Sequence, residues 1–208
     1  HTPLPLAFAL VGKDGPARLF VDPAKLTPPV RERLAPVATL HDPSELEPAL
    51  IAEGKAGRRI AFDKATAPYR LIDVFRAAGG AFTTPPDPLT LMKAVKNEAE
   101  IAGSKAAHIR DAVALAKFLA WFDAHGAATT EIGAAEALEA FRAEDPTFRD
   151  ISFPSISAAG PHAALPHYRV GESSNAPVTP GLFLIDSGAQ YEEGTTDITR
   201  TVAIGPVP

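Results

Sequence analysis

Along the first part of the chain, short apolar and β-branched runs alternate with helix-spaced stripes, the pattern of strands crossed by helices. Strands are expected at Leu4–Val11, Arg18–Val21, Val37–His41, Arg59–Asp63 and Ala81–Thr84. Asp42-Pro-Ser44 supplies caps for a helix running through Ile51, and a second helix opens near Thr66 and reaches Ala78, where Gly79-Gly80 stops it. The proline-rich segment from Thr83 to Pro88 cannot be helix interior, so a domain boundary is placed there. Beyond it Asn97 and Glu100 form a capping box for a long helix that closes at His125-Gly126, with Leu115, Phe118, Leu119 and Phe122 on its apolar stripe. A second helix starts at Thr129 or Thr130 and ends near Glu144, ahead of Asp145-Pro146. After Ile151-Ser-Phe-Pro154 a loop rich in Ser, Gly and Pro is expected up to Pro180, followed by strands at Leu182–Tyr191 and Thr195–Ile204.

Composition narrows what this pattern can serve. Within 208 residues, 46% apolar content supplies a sizeable core, and no apolar stretch approaches the length a bilayer span demands. A formal net charge of −5 gives no basic footprint for nucleic acid or anionic lipid, so neither partner is expected. The absence of cysteine excludes thiolate metal sites and a cysteine nucleophile; a metal would have to sit on oxygen or imidazole. The chain opens on His1 without a cationic, cleavable leader, and its last β-type run is followed only by Gly205-Pro-Val-Pro208. It reads as an internal fragment.

The last two strands carry the candidate chemistry. Glu192-Glu-Gly194 between them reads as a hairpin turn, and if Tyr191 pairs with Gly194, Asp186 lies opposite Thr199 and Asp197 opposite Gly188. That register puts both aspartates on one sheet face as diagonal neighbours, roughly 7–8 Å apart. Adjacent strand carboxylates repel, so something cationic is expected to relieve them: divalent ions, a shared proton, or Arg200. Blander readings stay open here, with Asp186 beginning a polar turn and Asp197 pairing with Arg200 at the surface. A rival class also claims Leu184-Ile-Asp186-Ser-Gly-Ala189, which has the form of an aspartic-protease motif, although only one copy is present.

Several ordered segments carry a closer likeness. Lys93-Ala-Val-Lys-Asn-Glu-Ala-Glu-Ile101, Ala107-His-Ile-Arg-Asp-Ala-Val-Ala-Leu115, Ser152-Phe-Pro-Ser-Ile-Ser157, Pro166-His-Tyr168, Leu184-Ile-Asp-Ser-Gly-Ala-Gln-Tyr191 and Gly194-Thr-Thr-Asp-Ile-Thr-Arg-Thr201 together resemble the Xaa-Pro aminopeptidases known as aminopeptidase P. The resemblance implies an α/β architecture. Residues 1–88 would be the C-terminal part of a creatinase-like α/β domain, and 89–208 the first half of an α+β pita-bread catalytic domain. It further implies that Asp186 and Asp197 ligate two divalent ions, usually manganese, with Asp197 bridging them, and that His167 contacts substrate near the scissile bond. The expected substrate is a peptide with proline second; cytoplasmic location and a homodimer are expectations of the same origin. A pita-bread scaffold that only binds peptides is the non-enzymatic alternative.

Two other histidines are read otherwise, His162 as surface variation and His108 as a structural helix residue. The family completes its site with a histidine and two glutamates further along, whereas no His or Glu follows Asp197 here. The fragment alone is therefore expected to be inactive.

Overall fold

The computed structural model describes residues 5–206, which form two compact units, one ending at Val95 and the other beginning at Lys96. In the first unit, β1 (Ala7–Leu10) runs antiparallel to β2 (Ala17–Val21), which pairs in parallel with β3 (Ala38–His41). Leu4, placed in the first strand by the sequence, lies outside the described residues. Between β2 and β3 stands α1 (Pro28–Leu34), a short helix the pattern did not announce. Its opening prolines sit in the first turn, where a missing N–H leaves no bond unmade.

Asp42 caps the turn that leads into α2 (Leu46–Lys55), its side chain accepting from the Ser44 amide at 2.9 Å while Glu45 returns a bond to the Asp42 amide. Next come β4 (Arg59–Ala61), α3 (Tyr69–Ala77) and β5 (Ala81–Thr83), with β4 and β5 parallel. Gly79 ends α3 at φ +92°, a conformation that a side chain resists. The core of this unit is wholly apolar: Phe20, Leu46, Leu50, Phe62, Ile72 and Phe75 pack together. The proline segment does not stay irregular throughout. Asp87 caps α4 (Pro88–Ala94) by accepting from the Leu89 amide, and Pro88 is its first residue.

The second unit opens with α5 (Glu98–His125), started by the Asn97/Glu100 capping box, and α6 (Glu131–Ala143), capped by Thr130. Both helices pack on one face of a three-stranded antiparallel sheet in the order β6 (Phe148–Ala159), β7 (Gly181–Tyr191), β8 (Ile198–Ile204). Leu115, Phe118 and Phe122 of α5 meet Leu138 of α6 and Phe183 and Ile185 of β7, the Phe122 and Phe183 rings lying 4.5 Å apart. Period-2 alternation in β7 follows, since Phe183, Ile185, Ser187, Ala189 and Tyr191 all face the helices and are at most 1% exposed. Leu184, Asp186 and Gln190 occupy the opposite face.

The strand β6 corrects the loop expected after Pro154. Its register against β7 shifts between Phe148 and Asp150, between Ile151 and Phe153, and between Phe153 and Ile156. Pro154 falls inside the last of these irregularities, where no ladder donor is required of it, and Ser152 is the extra residue in the second. Serines and a proline disguise a strand that pairs along most of β7.

Candidate metal-binding hairpin

The hairpin places the predicted acids. Asp186 lies opposite Thr199 and Ser187 opposite Ile198, while Gln190 and Thr195 form a further bridge and the Tyr191 amide donates to the Gly194 carbonyl at 2.9 Å. One register therefore holds on both sides of Asp197, which falls opposite Gly188, just ahead of β8. Its neighbours Thr196 and Ile198 turn toward the helices, so strand alternation assigns Asp197 to the face of Asp186 and Thr199. Asp186 is half-buried and its Oδ1 accepts from the Thr199 hydroxyl at 2.8 Å; Asp197 is exposed. The blander pairing of Asp197 with Arg200 is not formed: Arg200 donates to the Thr199 carbonyl at 2.8 Å.

A network missing from the sequence reading surrounds the residue before Asp197. Asp111 of α5 is fully buried and receives a bidentate guanidinium from Arg142 of α6, at 2.7 and 3.0 Å. The same carboxylate accepts from the Tyr191 hydroxyl at 3.1 Å and the Thr196 hydroxyl at 2.8 Å. Burial first, and then the adjacent Asp111 charge, push the Tyr191 phenol well above its ordinary pKa, which keeps it a donor. Thr196 also accepts from the Ala189 amide through its hydroxyl and from Ser152 through its carbonyl. This last bond crosses directly over Gly188. A Cβ there would overlap both the Thr196 carbonyl oxygen and the Ser152 hydroxyl, so the position opposite Asp197 requires glycine.

A second buried acid, Glu131 at the start of α6, organises the loop that bears His167. Its Oε1 accepts from the Ala159 amide (2.8 Å) and His162 Nδ1 (2.7 Å), and its Oε2 from the Tyr168 hydroxyl (3.0 Å) and the Ala176 amide (3.1 Å). Although burial pushes the Glu131 carboxyl up, these donors outweigh it and hold the pKa below the ordinary glutamate value. His162 is thus no surface variation: it stacks on Tyr168 with ring centroids 4.5 Å apart and bonds to a buried carboxylate. His167 is exposed, with φ +55° next to the anchored Tyr168, and makes no hydrogen bond to either aspartate among the described residues. His108 bonds to the Ser104 carbonyl one turn back in α5, a structural role.

Comparison with known proteins fixes the class. The chain superposes on the X-prolyl aminopeptidase of Caenorhabditis elegans, described as a cytosolic enzyme with a di-nuclear active site, with a TM-score of 0.87 and 30% identity, covering 99% of this chain and 35% of that one. The X-Pro aminopeptidase of Thermotoga maritima shares the fold at a TM-score of 0.76 and 23% identity, over 97% of this chain and 55% of that one. The fold is accordingly a creatinase-type N-terminal α/β domain followed by part of a pita-bread domain.

Residues 102–208 match metallopeptidase family M24, and residues 1–100 match the creatinase/prolidase N-terminal domain. The chain belongs to metallopeptidase family M24. Among its relatives are Xaa-Pro aminopeptidase 1 of Dictyostelium discoideum, 37% identical over 90% of this chain and 30% of the relative, and aminopeptidase P2 of Arabidopsis thaliana, 35% identical over 97% and 33%. The chain thus spans about a third of the length of these relatives. Membership of a metallopeptidase family overturns the aspartic-protease reading of Asp186-Ser-Gly188. Ser187 of that motif turns its side chain toward the helices, away from the face of Asp186.

The donor set suits a hard divalent cation in part. Two carboxylates share one face, and Asp186 keeps Oδ2 out of any protein hydrogen bond among the described residues. Among those residues no group of three or more His, Asp or Glu side chains is arranged to hold a metal ion, so further ligands would have to join them. Among the described residues no helix is long and apolar enough to cross a membrane.

Proposed function

We propose that the whole protein releases the N-terminal residue from peptides with proline second, and that Asp186 and Asp197 would be ligands for two divalent ions, manganese by preference. The observation that carries this reading is the single hairpin register that puts both acids on one face in a chain of this metallopeptidase family. When bound, a pair of such ions supplies Lewis acidity toward water and toward the scissile carbonyl. The remaining steps belong to the chain. Thr199 holds one oxygen of Asp186 and so leaves the other directed at a ligand. His167, raised on a left-handed backbone beside the Tyr168–Glu131 anchor, is the substrate contact near the scissile bond. Proline brings no amide hydrogen to that bond, so recognition there rests on shape and on the carbonyl rather than on an N–H.

The cytosolic description of the nematode neighbour supports a cytoplasmic location for this protein also. The 208 residues alone should neither retain a dinuclear centre nor cleave an Xaa-Pro peptide, because two carboxylates are too few ligands for two ions. The test is turnover of an Xaa-Pro peptide by the full-length protein loaded with Mn2+, read together with bound metal. Asp197→Asn is expected to lower kcat/KM by more than the roughly 10–100-fold that loss of an outer hydrogen-bond partner costs, and to reduce bound metal. Unchanged turnover in that variant, or robust turnover by the 208-residue chain, overturns the proposal; peptide binding without turnover by the full-length protein indicates a binding module instead.

A further inference from the structure

The antiparallel ladder between β7 and the approach to β8 departs from its regular pattern at one place. The Thr196 amide donates to the Ala189 carbonyl at 2.8 Å, as a ladder requires. The return bond does not go to the Thr196 carbonyl. Instead the Ala189 amide donates to the Thr196 hydroxyl at 2.9 Å, and the Thr196 carbonyl is turned over Gly188 to accept from Ser152, the bulged residue of β6, at 2.9 Å. The hydroxyl hydrogen then goes to Asp111, which Arg142 and Tyr191 hold in place. Every polar group of Thr196 is therefore committed to a partner on β6, β7 or α5. Its α-carbon stands one peptide unit, about 3.8 Å, from that of Asp197.

We infer that Thr196, clamped by the buried Asp111–Arg142–Tyr191 cluster and by Ser152, is a positioning device that aims the Asp197 carboxylate toward the face of Asp186. The inference rests on the reading of Asp197 as a metal ligand. Alternation sets the face on which Asp197 stands; the bonds of Thr196 to Ser152, Asp111 and the Ala189 amide fix the backbone that carries it against the repulsion of a neighbouring like charge. At the rung where the hydroxyl takes the place of the carbonyl, the Thr196 carbonyl is held by Ser152, a ladder irregularity of the kind found beside functional sites. The absence of a Cβ at Gly188 is the steric condition for it. An exposed carboxylate, with no hydrogen bond of its own among the described residues, takes its direction from the backbone that carries it.

The experiment uses the full-length protein. Mn2+ affinity is measured by competition with a chelator, and the visible spectrum of the Co2+-substituted protein is recorded, for the wild type, Thr196→Val, Thr196→Ser and Tyr191→Phe. Thr196→Val keeps the shape and deletes both hydroxyl bonds. It is expected to weaken the more loosely held ion by about 10–100-fold and to alter the Co2+ spectrum, while Thr196→Ser restores affinity to within about threefold. Tyr191→Phe removes one bond to Asp111 and is expected to weaken the same ion by about threefold to tenfold; it decides the matter should Thr196→Val fail to fold. Wild-type affinity and spectrum in a folded Thr196→Val, or in Tyr191→Phe where the valine variant does not fold, overturn the positioning role, as does a serine variant no better than valine. A wild-type protein that binds no divalent ion, or an Asp197→Asn protein that binds both as tightly as wild type, overturns the ligand assignment itself and is distinguishable from those outcomes.

Discussion

The two units bury different things. In the first, the interior is Phe, Leu and Ile, and the ion pairs stay outside: Arg18 with Glu53, Arg70 with Glu47, Arg76 with Asp73. In the second, the apolar core encloses Asp111, Arg142 and Glu131 as well as Thr196, Ser157 and Ser187, which are the fully buried polar side chains among the described residues. Buried charge is costly and is seldom the cheapest route to stability. Its concentration in the unit that carries the aspartate hairpin points to geometry as its purpose: Asp111 holds the backbone ahead of Asp197, and Glu131 holds the loop that carries His167.

Breaking the larger of these clusters should separate the units most sharply. Arg142→Met leaves the Asp111 carboxylate buried without its counter-charge and should destabilise the second unit by about 3–5 kcal/mol, whereas Asp111→Leu combined with Arg142→Met should recover a large part of that loss. Glu47→Ala, which removes an exposed pair in the first unit, should leave the unfolding midpoint unchanged within error. Urea unfolding followed by far-UV circular dichroism reads both units in one chain, and the fluorescence of Trp121, the only tryptophan, which lies in α5 stacked on His125, reports the second unit alone. If Arg142→Met costs no more than Glu47→Ala, the contrast between the units fails.

The smaller cluster makes a pH-dependent difference. The pKa of Glu131 is lowered in the folded state, so its ionised form contributes stability that is present above the unfolded glutamate value of about 4.3 and is lost as pH falls through the lower folded value. Urea midpoints followed at Trp121 across the acid range should therefore fall more steeply below about pH 4.3 in the wild type than in Glu131→Gln. The variant should also be less stable at neutral pH, since an amide cannot accept from all four donors. Parallel acid limbs would show that Glu131 contributes no such linkage.

These buried acids also mark the limit of sequence reading. The Asn97 capping box, the apolar stripe of α5 and the hairpin register were legible because each is a local pattern with a fixed period. Asp111 and Arg142 were not read, since a charged helix residue is ordinarily a solvated one. A signal was nevertheless present: Ala107, Asp111 and Leu115 stand four apart on the buried stripe of α5, as do Leu138 and Arg142 on that of α6. The strand β6 was hidden for a different reason. Pro154 and the serines around it are poor strand formers in isolation, and only the bulges against β7 make room for them. The helices α1 and α4 are harder to read, since each is only seven residues long and opens on proline in its first turn, too short for a periodic stripe to show.

The smallest effect expected is also the most discriminating within the second unit. Ser187 is fully buried, yet its hydroxyl has no hydrogen-bond partner among the described residues, whereas the Ser157 hydroxyl donates to the Glu131 carbonyl at 2.6 Å. An unpaired buried hydroxyl carries its desolvation cost with no compensating bond. Ser187→Ala should therefore leave stability unchanged or raise it by up to about 1 kcal/mol, while Ser157→Ala should lower it by about 1 kcal/mol. Because Ser187 faces the helices and not the face of Asp186, its substitution should leave untouched the metal binding and Xaa-Pro turnover proposed for the full-length protein. A loss of stability at Ser187 as large as that at Ser157 would mean that the hydroxyl does have a partner, and that the division between committed and idle buried polar groups in this unit is drawn in the wrong place.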